Sequence, residues 1–319
     1  MNESAKPETE ETLRLRNSES ILEARQRLNQ AIRDFFSERG FLEVDTPVRL
    51  PAPAPEEHIN CPPAGEGQWL RASPELHMKR LTAALHRPLF QIGPCFRENE
   101  RGQFHLPEFT MLEWYRPQAD CRDILDDTVD LLRHCADRVI GKRTYSFRGQ
   151  RVNLDMDWSF TSLDRAFADG ADSFLDQAVK DGRFEEVLIT QVLPAMDWER
   201  PAVLHGFPLS LASLARTDPA TGRADRWELF IAGIEIANAY SELTDLEEQR
   251  QRFKKTIEIR KSRGLQAYPV DINYMQTLGT NFPPSGGIAL GVDRLLMFLT
   301  GCDKIDEALP FVPESELLL

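Results

Sequence analysis

Residues 96–115 read FRENERGQFHLPEFTMLEWY: a polar loop opening on Arg97 and closing on a run rich in aromatic and branched side chains. The stretch LFQIGPCF (89–96) stands directly before it. Two apolar runs of strand length around a polar connection predict a pair of strands with Arg97 at their mouth. Upstream, Ser73-Pro74-Glu75 combines a capping hydroxyl, a proline suited to a first turn and an acid facing the helix dipole, so a helix is predicted there. Residues 51–68 are a loop dense in Pro and Gly, and residues 41–44 a strand halted at Thr46-Pro47. Before them Ile21, Leu28, Ile32, Phe35 and Phe36 recur at helical spacing, with Ser18 or Ser20 as cap and Gly40 as stop. Residues 1–16 hold almost nothing worth burying and are read as a disordered leader.

Downstream, residues 122–140 predict an amphipathic helix ending near Gly141. Residues 143–200 are read as short helices and connections. Strands are predicted at 202–206 and 227–231, and a charged helix at 246–263. The run GGIALGVDRLLMFLTG (286–301) reads as a Gly-rich turn or strand leading into a buried helix. No internal repeat or domain boundary stands out, which favours one mixed α+β domain.

The 319 residues carry 38 basic and 51 acidic side chains, a net charge of −13. That balance excludes a broad nucleic-acid-coating surface, which needs clustered Lys and Arg. No apolar run approaches the ~20 residues of a membrane span, and the polar N-terminus is no secretory signal. The five cysteines form no CxxC pair, so neither a disulfide framework nor a structural zinc site is expected. A cytoplasmic protein is the expectation.

Four segments, GFLEVDTP (40–47), residues 96–115, WELFIAGIEIANAYSELTD (227–245) and GGIALGVDRL (286–295), occur in an order and spacing that resembles the class II aminoacyl-tRNA synthetase catalytic domain. The resemblance is strongest to the lysyl-tRNA synthetase branch. It implies an α+β fold, an antiparallel sheet flanked by helices, over residues 17–319. Only about 16 polar residues precede the first helix, too few for an anticodon-binding barrel. The chain therefore resembles the truncated lysyl-tRNA synthetase paralogues that attach (R)-β-lysine to elongation factor P. Ala289, where synthetases carry Gly, is the second mark of that branch.

The resemblance implies ATP and Mg2+ as cofactors, (R)-β-lysine or lysine as substrate, elongation factor P as acceptor, and a homodimer built on the segment ending at Pro47. Arg97 matches the arginine on the α-phosphate, and Arg294 a second arginine near the γ-phosphate and adenine. Phe109 matches the ring under adenine. Glu98, Asn99, Glu100, Ile236 and Gly291 match further nucleotide contacts. Glu228 and Glu235 match the magnesium pair. Seven residues apart, they would face opposite sides of one strand, so a bend or bulge near Gly233 is expected. Ser73, Pro74, Glu75, Tyr115, Asn238, Glu242 and Ala289 match the amino-acid pocket, whose acids suit a ligand with two ammonium groups.

Three departures from the family pattern stand out: the acid after Arg97 shifts toward Glu100 or gives way to Asn99, Leu106 replaces Asn, and Ala239 replaces Gly. Two other functions were weighed. A minimal enzyme charging tRNA is disfavoured by the acidic balance and the absent domain. A catalytically silent regulatory module would have lost the arginines and acids that are present here.

Overall fold

A computed structural model describes residues 9–280 and 282–312. The first helix, α1 (Glu10–Asn17), begins within the segment read as a disordered leader and runs one residue past it. Thr9 caps it, Glu10 and Glu11 face its N-terminus, and Arg14 and Arg16 its C-terminus. It buries none of its residues, which is why no apolar period announced it. Arg14 ties it to the far end of the chain by donating to the Pro310 carbonyl. Residues 1–8 of that leader lie outside the described residues.

The strands are β1 (Leu42–Glu43), β2 (Arg49–Leu50), β3 (Trp69–Leu70), β4 (Leu89–Phe96), β5 (Glu108–Pro117), β6 (Thr144–Phe147), β7 (Gln150–Asn153), β8 (Ser159–Ser162), β9 (Ala202–Phe207), β10 (Ala224–Ile231), β11 (Ile234–Ser241) and β12 (Ser285–Gly291). The larger helices are α2 (Glu19–Glu38), α3 (Glu75–Leu85) and α4 (Cys121–Val139). Three short ones follow, α5 (Leu163–Gly170), α6 (Leu175–Lys180) and α7 (Phe184–Val187), and then α8 (Leu246–Ser262), α9 (Ile272–Thr280) and α10 (Val292–Thr300). Among the described residues, one eight-stranded sheet runs β1-β4-β5-β12-β11-β10-β9-β8. Its outermost pairs, β1 with β4 and β8 with β9, are parallel, and every pair between them is antiparallel.

The period of two along each strand gives this sheet two unlike faces. One presents Phe90, Leu112, Trp114, Trp227, Leu229, Ile288 and Leu290 to α2, α4 and α10, forming the main core. Phe36 of α2 sits at its centre, stacked on Phe90 at 4.7 Å and tilted against Trp114 at 5.2 Å. Ala239 faces this core fully buried, so its methyl replaces glycine in packing rather than in a pocket. The residues paired across the other face, Gln91, Glu113, Tyr115, Gly287, Ala289, Asn238, Tyr240 and Glu228, are mostly polar. Helices α3, α8 and α9 form a separate apolar cluster on that side, around Leu76, Phe253, Tyr274 and Leu278.

Consecutive glycines of β12 let both faces close. A β-carbon on Gly286 would stand 2.7 Å from the Asp120 carbonyl at the start of α4. One on Gly287 would overlap the Glu242 carboxylate and the Tyr115 ring. Gly287→Ala is therefore expected to cost about 1–3 kcal/mol of stability, read as a lower urea midpoint.

The middle of the chain holds more strand than the reading of 143–200 allowed. Residues 144–153 form the β6–β7 hairpin, and β8 extends the main sheet. Both were hidden because four-residue strands carry too few alternations to show a period. Among the described residues no helix is long and apolar enough to cross a membrane. All five cysteines are free.

Candidate active site

The β10–β11 hairpin turns on Ala232 and Gly233, both at positive φ (49° and 78°), as a two-residue turn of the hairpin hand requires. Glu228 pairs with Asn238 and Leu229 with Ala237, but Phe230 pairs with Glu235, leaving Ile236 unmatched. This bulge turns Glu235 onto the face that holds Glu228 and Asn238. The expected irregularity exists, but it lies at Ile236, while Gly233 serves the turn. Ile236 itself is 2% exposed and packs in the main core, so its side chain is not part of the site.

Glu228 shares one of its oxygens, Oε1, with an arginine. Arg226, two residues before it on the same face, donates to its Oε1 at 2.5 Å, to the Leu211 carbonyl at 2.5 Å and to Asn238 Oδ1 at 3.2 Å. Burial pushes the Glu228 carboxyl up to about 7 against the pull of Arg226, and the Glu235 charge adds to the rise. Glu235 is the more open of the two acids. Among the described residues no group of three or more His, Cys, Asp or Glu is placed to hold a metal ion.

Arg97 follows β4 directly. Its Nη1 lies 3.3 Å from Glu100 Oε2, and its guanidinium stands 5.2 Å from the centre of the Phe109 ring. Its Nε is buried and has no hydrogen-bond partner among the described residues. Glu100 is thus the acid that meets Arg97, while Asn99 takes positive φ in an exposed turn and Glu98 is exposed. Leu106 is buried in the main core, which explains its apolar character.

Arg294 sits in the first turn of α10, whose N-cap is Gly291. It donates to the Phe104 carbonyl at 3.1 Å and the Glu235 carbonyl at 2.8 Å, and its Nη1 lies 3.6 Å from Glu235 Oε2. Its neighbour Asp293 is buried between Arg25 of α2 and the Thr110 amide, which donates at 2.6 Å. That carboxylate fixes the start of α10 against the strand carrying Phe109.

Beyond Arg97 the polar face continues into a cage of acids. Ser73 Oγ donates to Glu113 at 2.6 Å and accepts the Glu75 amide at 2.9 Å, so the hydroxyl joins the start of α3 to β5. Pro74 is the N-cap of α3 rather than its first residue. Tyr115 OH donates to the other Glu113 oxygen at 3.0 Å. Glu242 follows β11, and beside it Ala289 pairs with Asn238 on one side and Glu113 on the other.

The cage is not the uncompensated one predicted. Lys79, one turn after Glu75 on α3, is 1% exposed and lies 2.7 Å from Glu75 and 2.5 Å from Glu242. Burial works against its charge, yet Glu242 and Glu75 hold its ammonium well above the usual lysine value. Among the described residues Glu242 Oε2 still lacks a partner in hydrogen-bond geometry, and the buried Tyr274 hydroxyl has none. Glu113, 1% exposed, is pushed up to about 8 by burial and by the Glu75 charge, against its two hydrogen bonds.

Lys79, Glu113 and Arg226 belong to the site although the sequence motifs did not mark them. Spacing carried a signal for each: Lys79 is i+4 from Glu75, Glu113 is i−2 from Tyr115, and Arg226 is i−2 from Glu228.

Comparison with known proteins identifies the family. A family model described as tRNA synthetases class II (D, K and N) matches residues 8–315. An elongation factor P–(R)-β-lysine ligase of Proteus mirabilis is 36% identical over 296 residues, covering 88% of this chain and 91% of that protein. The ligase of that name from Yersinia enterocolitica is 37% identical over 297 residues, with the same coverage. The one from Sodalis glossinidius is 38% identical over 306 residues, covering 89% and 92%. With a polar sheet face bearing Arg97, Arg294 and the acid cage, and relatives matched over nearly their whole length, the chain belongs to the class II tRNA synthetase family (D, K and N), among the elongation factor P–(R)-β-lysine ligases.

Proposed function

We propose that the protein activates (R)-β-lysine, or lysine, with ATP as the acyl adenylate and then transfers the acyl group to a lysine side chain of elongation factor P. The observation that carries this reading is the buried Nε of Arg97, which has no hydrogen-bond partner among the described residues and lies beside the Phe109 ring. A guanidinium with an open donor suits a phosphate oxygen, and the ring beside it suits a purine. In this role Arg97 balances charge building on the α-phosphate during in-line attack by the carboxylate. Arg294 is held between the two elements that would border the nucleotide, with Gly291 and Glu100 at their edges.

Magnesium fits the pair Glu228 and Glu235, since that ion takes one or two carboxylates and fills its shell with water and phosphate oxygens. When bound it would shield charge between phosphates. The bulge that brings the two acids to one face is what supports this assignment. Glu75, Glu113, Glu242 and Tyr115 receive the ammonium groups of the amino acid, with Ser73, Pro74, Asn238 and Ala289 shaping the cavity. Residues 17–319 form the catalytic domain, which works as a homodimer in the cytoplasm.

Intact-mass analysis of elongation factor P incubated with enzyme, ATP and either isomer tests the reading. A gain of one lysyl unit is expected, in a larger fraction of the factor with the β-isomer, and no gain with either would refute it. The pH dependence is a further expectation. An ammonium binds the carboxylate form of Glu113, and burial keeps that group protonated below about 8. Amino-acid affinity should therefore rise as pH climbs toward 8 and weaken as it falls. Glu113→Gln should flatten the KM profile between pH 6.5 and 8.5, and an unchanged slope would remove Glu113 from the pocket.

A further inference from the structure

The transfer step needs a group that relieves the attacking lysine of a proton, and the acids described so far are engaged. Glu75 and Glu242 hold Lys79, Glu100 meets Arg97, Glu113 accepts from Ser73 and Tyr115, Glu228 accepts from Arg226, and Glu235 pairs with Arg294. Glu56 is the exception. Its carboxylate has no hydrogen-bond or ion-pair partner among the described residues, and it is half-buried rather than sealed. The charged groups that face it are Arg97 and Glu100 from the loop after β4, Glu75 from α3 and Arg226 from β10. Tyr240 of β11 senses its charge as well.

The backbone there is fixed, although it belongs to a loop. Arg260 of α8, fully buried, donates to the Glu56 carbonyl at 2.6 Å, the Ile59 carbonyl at 2.8 Å and Asn60 Oδ1 at 2.7 Å. The Glu98 amide donates to the Asn60 carbonyl at 2.7 Å, which joins this loop to the segment carrying Arg97. A loop fixed in this way thus holds one carboxylate within electrostatic reach of the arginine assigned to the α-phosphate and of the acid at the start of α3.

Resting on the function proposed above, we infer that Glu56 is the general base of the transfer half-reaction. The acceptor lysine arrives as the neutral amine, its ammonium proton having passed to water. As its nitrogen bonds to the acyl carbon, a second proton passes from that nitrogen to Glu56. The bond from the acyl carbon to the phosphate oxygen breaks, and its electron pair leaves on AMP. Glu56 then returns its proton to solvent. Arg97 and Arg226 nearby also disfavour a further positive charge, which helps the acceptor enter neutral.

The test is a single-turnover reaction of preformed enzyme-bound adenylate with elongation factor P, followed by mass spectrometry between pH 5 and 8. Burial places the Glu56 carboxyl at about 6. Log rate should therefore climb with slope two below pH 6, where both base and amine must lose a proton, and slope one above it. Glu56→Gln should slow transfer by about 10²–10⁴-fold and show slope one throughout. Glu56→Asp should recover part of the rate and the break in slope. Pyrophosphate exchange, in which no acceptor takes part, should stay within threefold in Glu56→Gln, which also certifies its fold. Exchange lost together with transfer, or transfer unchanged, overturns the assignment. Absence of exchange and transfer in the parent enzyme would instead overturn the function on which it rests.

Discussion

Arg97→Ala is expected to lower amino-acid-dependent pyrophosphate exchange by about 10²–10³-fold, the usual effect of removing one preorganised donor from a developing oxyanion. The fold should hardly notice. Arg97 contributes one partly exposed pairing with Glu100 and one ring contact with Phe109, worth about 1 kcal/mol or less. Arg97→Lys should not rescue exchange, because a single ammonium cannot reproduce a planar fork of donors. Arg294→Ala is the less clean experiment: that side chain also clasps the Phe104 and Glu235 carbonyls, so its loss disturbs two elements at once. Exchange within tenfold of the parent in Arg97→Ala, with an unchanged unfolding midpoint, would discredit the phosphate role.

Much of this arrangement was legible in the residues themselves. The strands around Arg97, the helix of residues 122–140 and the apolar face of α2 all follow from periods long enough to exceed noise, and each appears close to its predicted bounds. What escaped were features that leave no period. The α1 helix rests on a cap and on charges at its ends, and β8 finds its place by pairing with β9. The bulge at Ile236 was expected three residues early because Gly233 is the conspicuous breaker. Glycine was needed there for a positive-φ turn, and the register shift followed from packing Ile236 into the core.

The site divides in the same way. Arg97, Phe109, Glu228, Glu235, Asn238 and Ala289 lie on the polar face of the sheet or at its edge because strand alternation and one bulge put them there. Charge compensation is three-dimensional, so the spacings that set Lys79 by Glu75 and Arg226 by Glu228 could not show that these pairs are buried. A list of acids reads as an appetite for cations until the structure shows which cation is already inside. Arg226 and Lys79 each neutralise an acid that the family resemblance assigned to a ligand, and both approach from positions that look like ordinary surface spacing.

Lys79→Met follows from that compensation and should have the largest effect on stability. Removing one partner of a buried ion pair strands the other, at about 3–5 kcal/mol, and here two carboxylates are stranded together. The loss should depend on pH in a definite direction. Without the ammonium, Glu242 loses the pull that opposes its burial and escapes buried charge by binding a proton, so its folded-state pKa rises further above the unfolded value of about 4.3. Groups raised in this way contribute stability at low pH and lose it as pH climbs through the folded value. The deficit relative to the parent, measured by urea unfolding, should therefore be smaller at pH 5 than at pH 8. A diamino acid should restore part of it at pH 8, because its ammonium can occupy the place that Lys79 vacates, whereas a monoamino acid of equal length should restore less. A deficit below 1 kcal/mol and equal at both pH values would mean that the two acids find compensation elsewhere, and the charge arithmetic of the cage would have to be rebuilt without Lys79.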